Sequence, residues 1–121
     1  MTEFGFTGRF KIKKTDDFSS VFNFRKRISG PYLAMHYMPN TLGHARLGLI
    51  IGKKTARLAV QRNYMKRVLR EMFRHERQTL DGVDLLVRPL KAFGRKDFDT
   101  IGTEFRQLIH KLRERTLAKP I

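Results

Sequence analysis

Nine cations, Lys53, Lys54, Arg57, Arg62, Lys66, Arg67, Arg70, Arg74 and Arg77, fall within residues 53–77, opposed only by Glu71 and Glu76. At about 100° per residue, Lys66, Arg77, Arg70, Arg74 and Arg67 share one side of a helix, with Asn63 among them. Leu58, Met65, Val68, Leu69, Met72 and Phe73 fall on the other side, and Arg62 lies at the edge. No acid enters the basic sector. A solvated helix face usually mixes signs, because like charges at i, i+4 cost about 0.2–0.5 kcal/mol per pair. Arg62/Lys66, Lys66/Arg70 and Arg70/Arg74 are such pairs, and an external polyanion explains them better than solvent does. Arginine dominates the column, and a guanidinium forks onto phosphate oxygens and stacks on bases. A basic amphipathic helix can also lie on a membrane, but this apolar stripe is needed against a sheet.

Protein-borne catalysis finds no comparable support. His36, His44, His75 and His110 are scattered over different elements, with no pair at metal-ligand spacing and no nucleophile or carboxylate in a recognisable motif with any of them. Asp97 and Asp99 read as helix N-terminal residues on the dipole rather than as magnesium ligands. The run from Gly48 to Thr55 is similar to a phosphate-binding loop, but its glycine spacing is one residue short and the residues between are an apolar strand. No catalytic residue, metal ligand or cofactor motif is assigned.

The chain that must carry the column has 121 residues and a formal net charge of +15 at pH 7. That length suits one domain, 1–121, with a basic arm at 1–14 and a loose end at 116–121. Hydrophobic residues make up 40%, with 10 Phe, enough for a core and against simple disorder. There is no Cys, which excludes disulfides and thiolate metal sites. No apolar run approaches the roughly 18 residues that span a bilayer, and no secretory signal is visible, so a cytoplasmic protein is expected. A charge this lopsided points to nucleic acid as partner, ahead of an anionic membrane.

Local signals order the elements. Asp16 and Asp17 behind a capping Thr15, then Phe18, Val21 and Phe22 at i, i+3, i+4, predict a helix to about Asn23, broken by Ser29-Gly30-Pro31. Strands are expected at 32–38 and 46–51, the second central because it is almost wholly apolar, with a further short strand near 40–46. A helix follows at 57–77, a strand at 83–87 stopped by Pro89, and a helix at 97–115 with Phe98, Ile101, Phe105, Leu108, Ile109 and Leu112 as its stripe. The fold class is α/β: a small two-layer sandwich, helices packed on one mixed sheet, in the order α-β-β-(β)-α-β-α. Either face of strand 32–38 mixes apolar and polar groups, so the pattern does not say which meets a ligand. Phe18 and Phe22 read as core residues by the usual burial of Phe.

The run Arg46-Leu47-Gly48-Leu49-Ile50-Ile51-Gly52-Lys53-Lys54, followed by the helix residues Ala59 to Arg74, resembles the protein subunit of bacterial ribonuclease P. That family carries a strand ending in Lys-Lys, then a helix with an Arg-Asn-Arg core, a Lys-Arg pair and a further Arg. Asp17-Phe18 with Val21-Phe22 is similar to its first helix and Val83 to Pro89 to its last strand. Tyr64 stands where the family core has its third residue, an Arg. The resemblance implies an RNA-binding subunit that assists a magnesium-dependent catalytic RNA in removing the 5′ leader from precursor tRNA, one protein per RNA. It implies docking on that RNA through Lys53, Lys54, Arg62, Asn63, Lys66, Arg67 and Arg70. It implies a leader cleft between the first helix and the sheet, with Phe18 and Phe22 at its aromatic positions and Arg88 at a basic one. It also implies a left-handed β-α-β crossover, against the usual right-handed rule. A ribosome-associated or general structural RNA-binding protein is the other class that the charge allows.

Overall fold

The computed structural model describes residues 10–12, 15–80 and 82–117; the side chains of Thr15, Thr116 and Leu117 lie outside the described set. The basic arm is thus described only at 10–12, and the predicted Thr15 cap and the end 118–121 lie outside it. The elements are α1 (Thr15–Phe24), β1 (Arg27–Ser29), β2 (Leu33–Pro39), β3 (Arg46–Leu49), α2 (Ala59–Glu76), β4 (Val83–Pro89) and α3 (Phe98–Leu117). They form the expected α/β arrangement of helices on one mixed sheet.

The sheet order is β1-β2-β4-β3. β2 is antiparallel to β1 and β4, while β3 runs parallel to β4 and reaches it through α2. Ile28, Leu33, Met35, Tyr37, Leu85 and Val87 face the main core, where they meet Met65, Leu69 and Phe73 of α2 and Ile101, Phe105 and Leu108 of α3. α1 covers part of the opposite face, where Val21 packs with Leu86 and Ile12. This settles the strand that the sequence left open: Leu33, Met35 and Tyr37 are core, and Ala34, His36 and Met38 face the α1 side.

Several expectations are corrected. The extra strand is β1 at 27–29, not 40–46, where residues 41–44 bend after Asn40, whose side-chain carbonyl accepts from Leu42 N–H at 2.9 Å, and where Arg46 already belongs to β3. α1 ends at Phe24, within a residue of the expected end, but what stops it is Arg25 and not Ser29-Gly30-Pro31: Arg25 takes a left-handed φ of 64° and closes the helix by donating to the Phe22 carbonyl at 3.2 Å. β3 is an edge strand, and the central strands are β2 and β4. Its apolar character comes from burial between α1 and α2, and its outer edge is covered by Ile12, whose N–H donates to the Leu47 carbonyl at 2.9 Å. β4 runs on through Pro89: Leu90 N–H points to β2, bonding the Tyr32 carbonyl at 2.7 Å, so the proline nitrogen faces the side where the β3 ladder has already ended at Leu49↔Val87. Leu58 and Phe98, assigned to apolar stripes, are 65% and 45% exposed, because each stands at the first turn of its helix, beyond the sheet. Asp97 closes a short 3₁₀ turn ahead of α3, accepting from Gly94 N–H at 2.9 Å.

Two buried carboxylates lock this frame. Glu104 lies on the α3 stripe and accepts from the Tyr32 and Leu33 N–H groups at 2.9 and 2.7 Å, fixing the β1–β2 hairpin. A Cβ at Gly30 would come within 2.7 Å of that carboxylate, so any larger residue there would push the Glu104 side chain off its bonds. Asp84 accepts a fork from Arg46, Nε at 2.9 Å and Nη2 at 2.6 Å, and a further bond from Asn40 Nδ2 at 2.7 Å. Arg46 Nη1 also lies 3.5 Å from Asp17, which ties the start of α1 to the sheet.

Candidate nucleic-acid interface

The loop from β3 to α2 folds back on Gly52, whose carbonyl accepts from Thr55 and Ala56 N–H groups at 3.1 Å each. The tight turn leaves Lys53 and Lys54 exposed. Arg62 holds the loop from the first turns of α2: its Nη1 donates to the Ala56 and Arg57 carbonyls, both at 2.8 Å. Asn63 and Arg67 are exposed along the same helix, while Lys66 and Arg70 are half-buried.

The basic column divides in two. Among the described residues, none of Lys53, Lys54, Arg62, Lys66, Arg67 and Arg70 pairs with a carboxylate. Arg74 does: its Nη2 and Nε bond Glu71 at 2.6 and 3.2 Å. This corrects the expectation that no acid reaches the basic sector, since a residue three positions away on a helix is a neighbour. The bond from Arg74, with a lesser one from His75, holds the Glu71 carboxyl below its ordinary value. Arg77 stacks its guanidinium 4.1 Å above the Phe10 ring. Among the described residues, the cations of the column without an acid partner therefore include the whole run from Lys53 to Arg70, Arg62 being the one whose guanidinium is partly used by the loop carbonyls.

Lys66 and Arg70 meet α1 across a cleft lined also by Phe18, Lys11, Leu47 and Gly48. Phe18 is half-buried, its ring seated where a side chain on β3 would be: a Cβ at Gly48 would lie 2.8 Å from it and 2.6 Å from Leu86. Phe18 is thus both a packing residue and a cleft wall. Phe22, one turn on, is 38% exposed and lies against the His36 ring with centroids 4.6 Å apart. Arg88 sits opposite Ala34 on β4, on this same face. Tyr64 points elsewhere, edge-on to Phe93 at 6.4 Å, with the Arg95 guanidinium 6.0 Å from its ring.

His36 was not a predicted site residue, and only its alternation with the core residues Met35 and Tyr37 hinted at its place. It is 9% exposed, and its Nε2 has no hydrogen-bond partner among the described residues. Burial, then the charges of Arg88 and Arg27, push its pKa below the ordinary 6.5. The unfolded chain therefore takes up the proton first, and stability falls as pH drops below about 6.5 until the folded ring also titrates. Urea midpoints at about pH 7.5 and 5.5 should show this loss. In His36→Gln the His36 contribution to that loss should vanish.

The family model for Ribonuclease P matches residues 6–113. The chain belongs to the ribonuclease P protein family. It is 45% identical over 112 residues to the "Ribonuclease P protein component" of Chromobacterium violaceum, covering 93% of both chains. It is 49% identical over 83 residues to the component from an Azoarcus species, covering 69% of each. The ribonuclease P protein of Thermotoga maritima superposes with a TM-score of 0.69 at 25% identity, over 81% of this chain and 93% of that one. The Staphylococcus aureus protein shares the fold, with a TM-score of 0.72 at 23% identity over 85% of this chain and 94% of that one. The chain is accordingly a protein component of the ribonucleoprotein endoribonuclease ribonuclease P, an RNA-binding subunit in tRNA processing that associates with the ribonuclease P RNA. No helix among the described residues is long and apolar enough to cross a membrane.

Proposed function

We propose that the two halves of this surface divide the work of the holoenzyme. Lys53, Lys54, Arg62, Asn63, Lys66, Arg67 and Arg70 dock on the catalytic RNA, and the cleft bearing Phe18, Phe22 and Arg88 holds the single-stranded 5′ leader of precursor tRNA. The observation that carries this reading is the meeting of unpaired cations and an aromatic wall in one cleft, Lys66 and Arg70 on one side and Phe18 on the other. Cations at that junction offset phosphate repulsion where catalytic RNA and substrate approach. Leader binding then favours precursor over mature tRNA. One protein serves one RNA, in the cytoplasm, and the magnesium belongs to the RNA. Among the described residues no group of three or more acids or histidines is arranged to hold a metal ion.

Reconstituted cleavage of precursor tRNA tests the whole reading. The protein alone should not cut, and its addition should raise cleavage by the catalytic RNA at low magnesium; unchanged cleavage would refute the assignment. For the docking half, Arg67→Ala and Arg70→Ala should each lower the salt slope of binding to the catalytic RNA by about 0.7–0.9 per lost phosphate contact. Arg62→Ala should also loosen the 52–57 loop, because that side chain holds two of its carbonyls.

A further inference from the structure

No acid occurs between Asp17 and Glu71. Within that span, the end of α1 and the first strand read Phe24-Arg25-Lys26-Arg27, a segment to which neither half of the proposed surface extends. Phe24 is 43% exposed. Arg25 takes a left-handed backbone, φ 64°, a conformation that non-glycine residues rarely adopt. That turn brings the chain from helix to strand in two residues and sets the segment on the rim of the sheet. Lys26 is anchored there through its backbone, its carbonyl accepting from Tyr37 N–H at 3.1 Å, while its side chain is exposed.

Arg27 lies directly opposite His36 in the β1–β2 register, and Arg88 opposite Ala34. Both arginines therefore stand on the α1 face, on either side of the buried imidazole. Among the described residues, Arg25, Lys26, Arg27 and Arg88 form no ion pair with a carboxylate. Arg115 adds a cation from α3, its Nη1 donating to the Arg27 carbonyl at 3.2 Å. The charged and aromatic groups on this face thus continue the cleft: Phe18 over β3, Arg88 on β4, Phe22 over His36 of β2, Arg27 on β1. At the usual spacing of strands this track crosses about 14 Å of sheet. A protein strand would gain little here, since β1 has three residues and Arg115 already occupies one of their carbonyls.

We propose that the leader does not end at Phe22 and Arg88 but continues to a second single-strand subsite at the β1 edge, where Phe24 stacks on a base and Lys26 and Arg27 hold phosphates. The proposal rests on the reading of the cleft as the leader site. It assigns the subsite to the part of the leader farther from the cleavage point, so only precursors with long leaders reach it.

The test is binding of precursor tRNAs with leaders graded up to about 16 nucleotides, the upper end of common single-strand site sizes, to holoenzyme reconstituted with the full chain. The Lys26→Ala/Arg27→Ala double variant should weaken binding of long-leader precursors and lower their salt slope by about 1.4, two single-strand contacts at about 0.7 each. Short-leader precursors and mature tRNA should bind as before. Phe24→Ala should show the same length dependence, with a loss of about 5- to 150-fold if the ring stacks. Equal loss for short and long leaders, or no loss for either, overturns the second subsite. Phe22→Ala run alongside separates the two readings: if it acts and the β1-edge variants do not, only the subsite falls. If Phe22→Ala is also silent, the cleft itself is not the leader site. Urea midpoints equal to the parent protein's confirm that the variants are folded.

Discussion

Replacing Arg46 with methionine should destabilise the protein by about 3–5 kcal/mol, the usual cost of stranding one member of a buried ion pair. Asp84 is 1% exposed and receives a two-pronged bond from Arg46, so among the described residues the variant leaves its carboxylate with the Asn40 amide alone. The same bond, with help from the Asp84 and Asp17 charges and against the effect of burial, raises the Arg46 pKa above its ordinary value. Arg46→Lys should recover only part of the loss, because an ammonium cannot reproduce the fork. Arg46→Met combined with Asp84→Leu should recover more, since well-packed apolar replacements of a buried pair are often neutral. Urea unfolding of the three variants measures this, and a methionine variant as stable as the parent would refute the network. The consequence reaches the cleft as well: Arg46 also contacts Asp17, the residue before Phe18, so losing it frees the start of the helix that forms one wall.

What is local in this fold is legible in the sequence, and what depends on distant partners is not. The α2 stripe of Met65, Val68, Leu69, Met72 and Phe73 was visible because helical neighbours are three and four residues apart, and each of these is buried. Strand placement depends on partners far along the chain. An apolar 46–51 run reads as central, yet β3 is an edge strand enclosed by helices on both faces and by Ile12 along its side. β1 was invisible because three residues carry no period. The positions of the cations along the chain say where positive charge concentrates but not which partners each finds in the fold. The Arg74–Glu71 pair was legible from its spacing alone; the bonds from Arg62 to the Ala56 and Arg57 carbonyls depend on how the preceding loop folds back. Glu104 offered a signal that spacing could have caught, an acid on a stripe between Ile101, Phe105 and Leu108, but its partners are the Tyr32 and Leu33 N–H groups on a distant hairpin.

Phe22→Ala should lower the affinity of the holoenzyme for precursor tRNA by about 1–3 kcal/mol, or about 5- to 150-fold, while leaving mature tRNA unaffected. The distinction between Phe22 and Phe18 follows from their surroundings. Phe22 is more than a third exposed and its described ring contact is with His36, so its face is available to an unpaired base and its removal opens little of the core. Phe18 packs over Gly48 and Leu86, and truncating it opens space beside Val21 and Ile12. Phe18→Ala should therefore lose both leader affinity and urea stability, whereas Phe22→Ala should lose leader affinity alone. Phe22→Tyr should retain most of the binding, because stacking needs the ring and not its edge. If Phe22→Ala weakened precursor and mature tRNA equally, the ring would be supporting the docking surface and not the leader, and the division of labour between cleft and basic face would have to be redrawn.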